Sequence, residues 1–292
     1  MRIRCPVLPA FLLLGVVSVA AGEVTTPWPS PVYMDTAADP NIIRIADDGE
    51  GGAIVAWNEL RESLHYIQFM RVDDAGAVVW GPVDLAVQSY DAAIEMQLVC
   101  EGGYFHLAWT AHTEAFDGYR VYAQRYRVFS GNEVWTAHPG GYVVAEATTR
   151  AAIHLDAASD GEGNLLIAYS AYPVAGGSLY AYAAHLRGVA TTPSLPWGTE
   201  GAVRVSSSAH IGCAEGLPHI VPDGASGALV TWIGVCIVGE SYAYSVYGQA
   251  LSSGGSLLWG DDGVSLDETP VGDPIGNPAL AGSGDGGAIA TW

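Results

Sequence analysis

The stretch Gly51-Gly52-Ala53-Ile54-Val55-Ala56-Trp57 decides the fold, because it comes back. It returns as Gly103-Tyr104-Phe105-His106-Leu107-Ala108-Trp109, then from Gly163 to Tyr169, from Ser226 to Trp232 and from Gly286 to Trp292, each time ending in an aromatic preceded by Ala or Thr. The closing aromatics stand 52, 60, 63 and 60 residues apart. A second column follows as Tyr66-x-Gln68, Tyr122-x-Gln124, Tyr182-x-Ala184 and Tyr247-x-Gln249, and a third as a lone Trp at 28, 80, 135, 197 and 259. The 9 Trp residues are all used by the first and third columns, so the repeat is structural rather than a chance of composition.

Working outward, each period reads as four strands. Strand A is short (Ile42 to Ala46), strand B is the Gly-Gly-apolar-Trp segment, strand C carries Tyr-x-Gln, and strand D begins near the lone Trp. Strand B is apolar at consecutive positions, as a strand covered on both faces requires, whereas strand C alternates. The A–B turns, Asp48-Gly49-Glu50-Gly51, Asp160-Gly161-Glu162-Gly163 and Asp223-Gly224, have the Asp and Gly that tight hairpins need. The expectation is an all-β chain, a β-propeller of four-stranded antiparallel blades at roughly 41–90, 91–150, 151–210 and 211–270, with an incomplete fifth at 271–292. A string of β-sandwich domains fits worse, because one unit of this size buries too little alone.

These motifs resemble a large, mostly uncharacterised group of secreted bacterial repeat proteins, whose blades carry a Gly-Gly-Ala-Ile-Val-Ala-Trp strand, a Tyr-Ala-Gln-Arg strand (here Tyr122 to Arg125) and a Gly-x-x-x-Trp turn (here Gly76 to Trp80). The resemblance covers roughly residues 28 to 292. It implies a β-propeller and export, and it implies no activity.

The chain has 292 residues, 50% of them hydrophobic, enough for a sizeable core. The net charge of −20 argues against nucleic acid or an anionic membrane surface as partner. Arg2 and Arg4, an apolar run from Pro6 to Ala21 and small residues before Glu23 read as a signal peptide over 1–22, so export is expected; with the resemblance, which implies a bacterial protein, the expected place is the periplasm, the cell surface or outside the cell. The run is too short for a membrane span, and no other segment after signal removal reaches that length. Three cysteines then remain in an oxidising compartment. Cys213 and Cys236 belong to one blade and one face and are expected to form a disulfide; Cys100, near an A–B turn, is expected to be a buried small apolar residue. Residues 28–36 align with the start of a strand D, so the fifth blade has A and B from one end, D from the other, and no C. A truncated product is the expectation.

Two places suit a ligand. Counting back from the A–B turns gives one strand-A column, Arg44, Gln97, Asp156, His219 and Ala279, whose four polar members are expected to line the axial channel and to suit a small polar or anionic ligand. The B–C loops vary in length and content and offer Arg61, His65, His112, Asp117, Tyr119, Tyr172, Glu240 and Tyr242 as a loop-face binding surface. No catalytic or metal motif is complete. Ser283-Gly284-Asp285-Gly286-Gly287 starts a sialidase-type Asp box but its Trp comes late, Asp47-Asp48-Gly49-Glu50 lacks the alternation of a calcium loop, and no His pair has zinc spacing. No cofactor is expected, weak surface calcium apart, and His106 reads as a satisfied core histidine. The functional expectation is an exported binding or interaction module for a protein or glycan ligand. The alternatives are a glycan-acting hydrolase or lyase using the channel, which would need paired carboxylates where the column offers only Asp156, and a structural repeat of a larger adhesin.

Overall fold

A computed structural model describes residues 18–20, 23–25, 42–61, 64–89, 95–112, 119–144, 149–173, 177–188, 190–198, 201–206, 213–239, 241–268 and 276–292. Two short strands, β1 (Ser18–Ala20) and β2 (Glu23–Thr25), pair with each other near the expected end of the signal peptide. The first blade is β3 (Ile43–Asp47), β4 (Ala53–Arg61), β5 (Leu64–Val72) and β6 (Val78–Ser89). The second is β7 (Met96–Glu101), β8 (Tyr104–His112), β9 (Tyr119–Arg127) and β10 (Tyr142–Val144). The third is β11 (Thr149–Ser159), β12 (Leu165–Pro173), β13 (Tyr180–Leu186) and β14 (Val203–Arg204). The fourth is β15 (Ala214–Pro222), β16 (Ala228–Val238), β17 (Ser241–Leu251) and β18 (Val264–Glu268). A last antiparallel pair, β19 (Ala279–Gly282) and β20 (Ala288–Thr291), begins a fifth. Each blade is a four-stranded antiparallel sheet in chain order, and the inner strands β3, β7, β11, β15 and β19 lie side by side in that order. The fold is a β-propeller. The expected strand at 28–36 lies outside the described residues.

Strand B is apolar at consecutive positions because its two faces feed two different cores. From the first blade, Ile54 and Ala56 pack with Met96, Phe105, Leu107 and Trp109 of the second. Between the second and third, Ala108 and Trp135 meet Leu155, Ile167 and Tyr169; between the third and fourth, Ala168 and Trp197 meet Val230, Trp232 and Tyr247. The first two columns stack within a blade: Trp109 on Tyr122, Tyr169 on Tyr182 and Trp232 on Tyr247, with ring centroids 5.7, 5.6 and 5.7 Å apart. Truncating one of these buried aromatics should cost roughly 3–5 kcal/mol.

The third column ties blade to blade. Trp80 Nε1 donates to Val128 O of the next blade (2.9 Å), Trp135 to Gly188 O (3.3 Å) and Trp197 to Ser253 O (3.0 Å). Only in the first blade does this Trp lie in strand D; Trp135, Trp197 and Trp259 precede it, in turns that make isolated bridges. Not every Trp is mortar: Trp259 and Trp292 are exposed.

In the first, third and fourth blades one carboxylate holds the A–B turn. Asp48 Oδ1 accepts the N–H groups of Glu50 (2.8 Å) and Gly52 (2.9 Å), and Asp160 and Asp223 repeat the pattern with Glu162 and Asn164 and with Ala225 and Gly227. A Cβ on Gly52 or Gly227 would stand 2.2 Å from a strand-C carbonyl, so only glycine fits there. Burial works to raise the Asp48 carboxyl, but the hydrogen bonds from Glu50, Arg71 and Gly52 together hold it below its ordinary value. This rigid end fixes the register from which every inner strand is counted.

Candidate active site

Register puts the expected column on one rung. Arg44 pairs with Ala56, Gln97 with Ala108, Asp156 with Ala168, His219 with Thr231 and Ala279 with Thr291, and every partner is the residue just before the strand-B aromatic. Each polar member reaches its neighbour. Arg44 Nε donates to Gln97 Oε1 (3.4 Å), Gln97 Nε2 donates to Leu155 O (2.9 Å), and Asp156 Oδ2 accepts the Ile220 N–H (3.0 Å) and lies 3.3 Å from His219 Nδ1. The Asp156 and His219 side chains keep 23% and 31% of their exposure, which leaves them open to solvent on the channel side.

One residue above this rung the blades differ. In β3 and β7 a single residue, Ile43 or Met96, faces the strand-B aromatic. In β11 and β15 the register jumps from Ile153 to Asp156 and from Gly216 to His219, so two residues oppose one aromatic, the arrangement of a β-bulge. The first residue of each bulge is left-handed and is not glycine: His154 has φ 56° and Leu217 φ 51°. Such a backbone costs of order 1–3 kcal/mol and persists where the surroundings impose it, often at functional sites.

The bulge turns the Leu155 N–H out of the ladder, and Glu95 Oε2 accepts it at 2.5 Å. Glu95 is held in turn by its own N–H, which donates to Thr110 Oγ1 (3.0 Å). Two carboxylates, Glu95 and Asp156, therefore flank Leu155, where the sequence offered one. Beside them, the Leu217 N–H donates to His154 Nδ1 (3.4 Å). Arg44, Gln97, Glu95, His154, Asp156 and His219 thus form a continuous polar belt along the inner strands, able to bind sugar hydroxyls and to move protons.

Most of the expected loop-face residues lie in strands rather than loops. Strands B and C extend into the segments expected to be loops, and Arg61, His65, His112, Tyr119, Tyr172 and Tyr242 sit in strands. His65 is buried, and Arg61 is tied to Glu59 (3.0 Å) and Asp84 (3.1 Å). Tyr172 and Tyr242 are exposed. Asp117 and Glu240 lie outside the described residues. Cys213 and Cys236 are joined by a disulfide that ties the residue before β15 to β16 near the tip of the β16–β17 hairpin, with Cα atoms 4.1 Å apart.

Elsewhere, a cleft of about 760 Å³ opens among the A–B turns of the first two blades, lined by Asp47, Glu50, Arg71, Cys100, Glu101 and Phe129 and by no member of the polar belt. Cys100 is only half-buried, a correction to its expected burial, and desolvation with Asp48 and Asp47 nearby pushes its thiol up to about 12, which leaves it unreactive at neutral pH. His106 is a core histidine but not a satisfied one. It is fully buried against Trp135 and neither ring nitrogen has a partner, so the strand-B position imposes burial without offering an acceptor. Among the described residues, no group of three or more His, Cys, Asp or Glu could hold a metal, and no helix is long and apolar enough to cross a membrane.

No family model and no curated protein matches the chain. Solved structures similar to it include an exo-1,5-alpha-L-arabinanase from a bovine ruminal metagenomic library (TM-score 0.41, 12% identity, covering 85% of this chain and 84% of that one). An endo-arabinase from Bacteroides thetaiotaomicron is similar too (TM-score 0.41, 14% identity, 87% of each chain), as is the polysaccharide lyase Uly1 (TM-score 0.42, 8% identity, 82% of this chain and 52% of that one). Values this low carry neither substrate nor mechanism across. The expectation of a binding module without a catalytic site is corrected on the geometry: Glu95, a second carboxylate that the column did not contain, binds the backbone beside Asp156.

Proposed function

We propose that the chain is an exported glycoside hydrolase that cleaves a polysaccharide at the axial channel. The observation that carries this reading is the pair of carboxylates on either side of Leu155. Hydrolysis of a glycosidic bond needs one carboxyl to protonate the departing oxygen and a second to activate water or attack the anomeric carbon. Asp156 accepts the Ile220 N–H, lies 3.3 Å from His219 Nδ1 and keeps 23% of its side-chain exposure, which leaves it room to take the part of the base. Glu95 accepts the Leu155 N–H with one oxygen and takes the part of the acid with the other. In the direct displacement, water bonds to the anomeric carbon and gives its proton to Asp156, the carbon–oxygen bond to the leaving sugar breaks, and that oxygen takes the proton of Glu95. Arg44 and Gln97 hold the sugar and brace the bulge, since Gln97 bonds the Leu155 carbonyl. Export is supported by the N-terminal signal pattern and by the Cys213–Cys236 disulfide, which suits an oxidising compartment.

The test is release of reducing ends from a panel of arabinan, galactan, xylan and β-glucan. The wild type should release them from at least one polymer, and Asp156→Asn and Glu95→Gln should each lose roughly 10²–10⁴ of the rate. Unsaturated ends instead of hydrated ones would reassign the chemistry to a lyase. No new ends from any polymer, with folding intact, would remove the reading.

A further inference from the structure

The polar belt contains a residue that neither the rung nor the carboxylate pair uses. His154 stands at the first position of the β11 bulge with φ 56°, a conformation that bulky residues avoid and that glycine or asparagine would fill at little cost. Its ring is not placed at random. Nδ1 accepts the Leu217 N–H of the next blade, and the Nδ1–Cε1 edge lies 3.6–3.7 Å from where a Cβ on Gly216 would be. An imidazole whose Nδ1 accepts a backbone N–H carries its proton on Nε2, so the hydrogen bond fixes the tautomer and turns a donor away from the fourth blade. The two residues that follow His154 in the chain are Leu155, whose N–H binds Glu95, and Asp156. A strained backbone and a locked tautomer, one residue before the N–H that Glu95 accepts and two before Asp156, are more than packing between blades requires.

Resting on the hydrolase reading, we infer that His154 holds the substrate: its Nε2–H donates to a ring or hydroxyl oxygen of the sugar lying over Glu95 and Asp156, and so fixes which glycosidic bond stands between them. It moves no proton. The Leu217 contact and the left-handed backbone serve to aim it.

His154→Asn separates this role from a clamp between blades. Asparagine tolerates the left-handed backbone, and its Oδ1 falls where Nδ1 accepts the Leu217 N–H, but it has nothing at the position of Nε2. On the polymer that the wild type cleaves, His154→Asn should raise KM about tenfold, as loss of one hydrogen bond to a buried sugar predicts, with kcat within about twofold and an unchanged melting temperature. His154→Gly, also at ease at this φ, should show the same rise, and added imidazole should reverse it. Wild-type KM in both variants would overturn the inference, as would a fall in melting temperature with KM unmoved. If the wild type cleaves nothing, the carboxylate reading fails first. The inference is then judged by calorimetric titration of arabino- and xylo-oligosaccharides into wild type and His154→Asn: tighter binding by the wild type supports it, and equal or absent binding overturns it.

Discussion

The first two blades and the next two build the same rung from different inner strands. In the first pair the strand is regular, and Arg44 and Gln97 reach their neighbours only by side-chain length. In the second pair an extra residue breaks the ladder, two non-glycine residues turn left-handed, and backbone N–H groups at Leu155 and Leu217 become donors to Glu95 and His154. The regular half lends polar reach, and the bulged half supplies irregular backbone that gathers charge. The Asp-based turn at the other end of the blade occurs in both halves, at Asp48 and at Asp160 and Asp223, so it does not account for the difference at the bulged end of the inner strand.

The largest expected contrast is catalytic. Asp156→Asn, on the bulged side, should abolish roughly 10²–10⁴ of the rate, whereas Gln97→Ala on the regular side should cost about tenfold, since it braces the bulge without reacting. Equal losses would erase the distinction. Next in size is the disulfide, found only in the bulged half: Cys213→Ser with Cys236→Ser should lower stability by roughly 3 kcal/mol, less any strain released, read from chemical denaturation. Hydrogen exchange should place the loosening in β15–β17.

Glycine substitution sharpens the comparison further. Leu98, in the regular β7, pays entropy and lost packing for a glycine and should lose at least about 2 kcal/mol. Leu217, at φ 51°, gains backbone relief that offsets its lost contacts and should stay within about 1 kcal/mol of the parent. A similar loss at both positions would mean that the bulge is unstrained.

The smallest effect lies at the seam between the halves. Burial, with the Arg125 charge close by, pushes the His106 imidazole from its ordinary 6.5 down to about 3. Above pH 6.5 the ring is neutral folded or unfolded. Between 6.5 and 3 the unfolded chain takes up a proton that the folded one refuses, so stability falls as pH falls. Replacing His106 by Phe should keep the contact with Trp135 and remove roughly 2 kcal/mol of the loss between pH 6.5 and pH 5, measured as the shift in denaturation midpoint.

The rung was readable in the sequence because Arg44, Gln97, Asp156 and His219 each stand four residues before an acid at the strand-A end, Asp48, Glu101, Asp160 or Asp223, although the second blade turns on Gly102-Gly103 alone. Two residues further back the same counting aligns Ile42, Glu95, His154 and Leu217, but there it fails. The bulges intervene, so Ile42 and Glu95 remain opposite Asn58 and Thr110 while His154 and Leu217 do not pair. No glycine marks either bulge position, which removed the usual signal. Glu95 therefore belongs to no consistent column, and the second carboxylate leaves no signal in the repeat. The B–C segments misled for the opposite reason. Their polar residues read as loop, yet strands held by long ladders carried them into the sheet and buried His65.

The assignment of an acid and a base is tested most directly by giving Glu95→Gln and Asp156→Asn two substrates, the natural polymer and an aryl glycoside whose leaving group departs without protonation. The account predicts that Glu95→Gln fails on the polymer but keeps near-wild-type turnover of the aryl glycoside, while Asp156→Asn fails on both. Glu95→Gln matching the wild type on the polymer would contradict it.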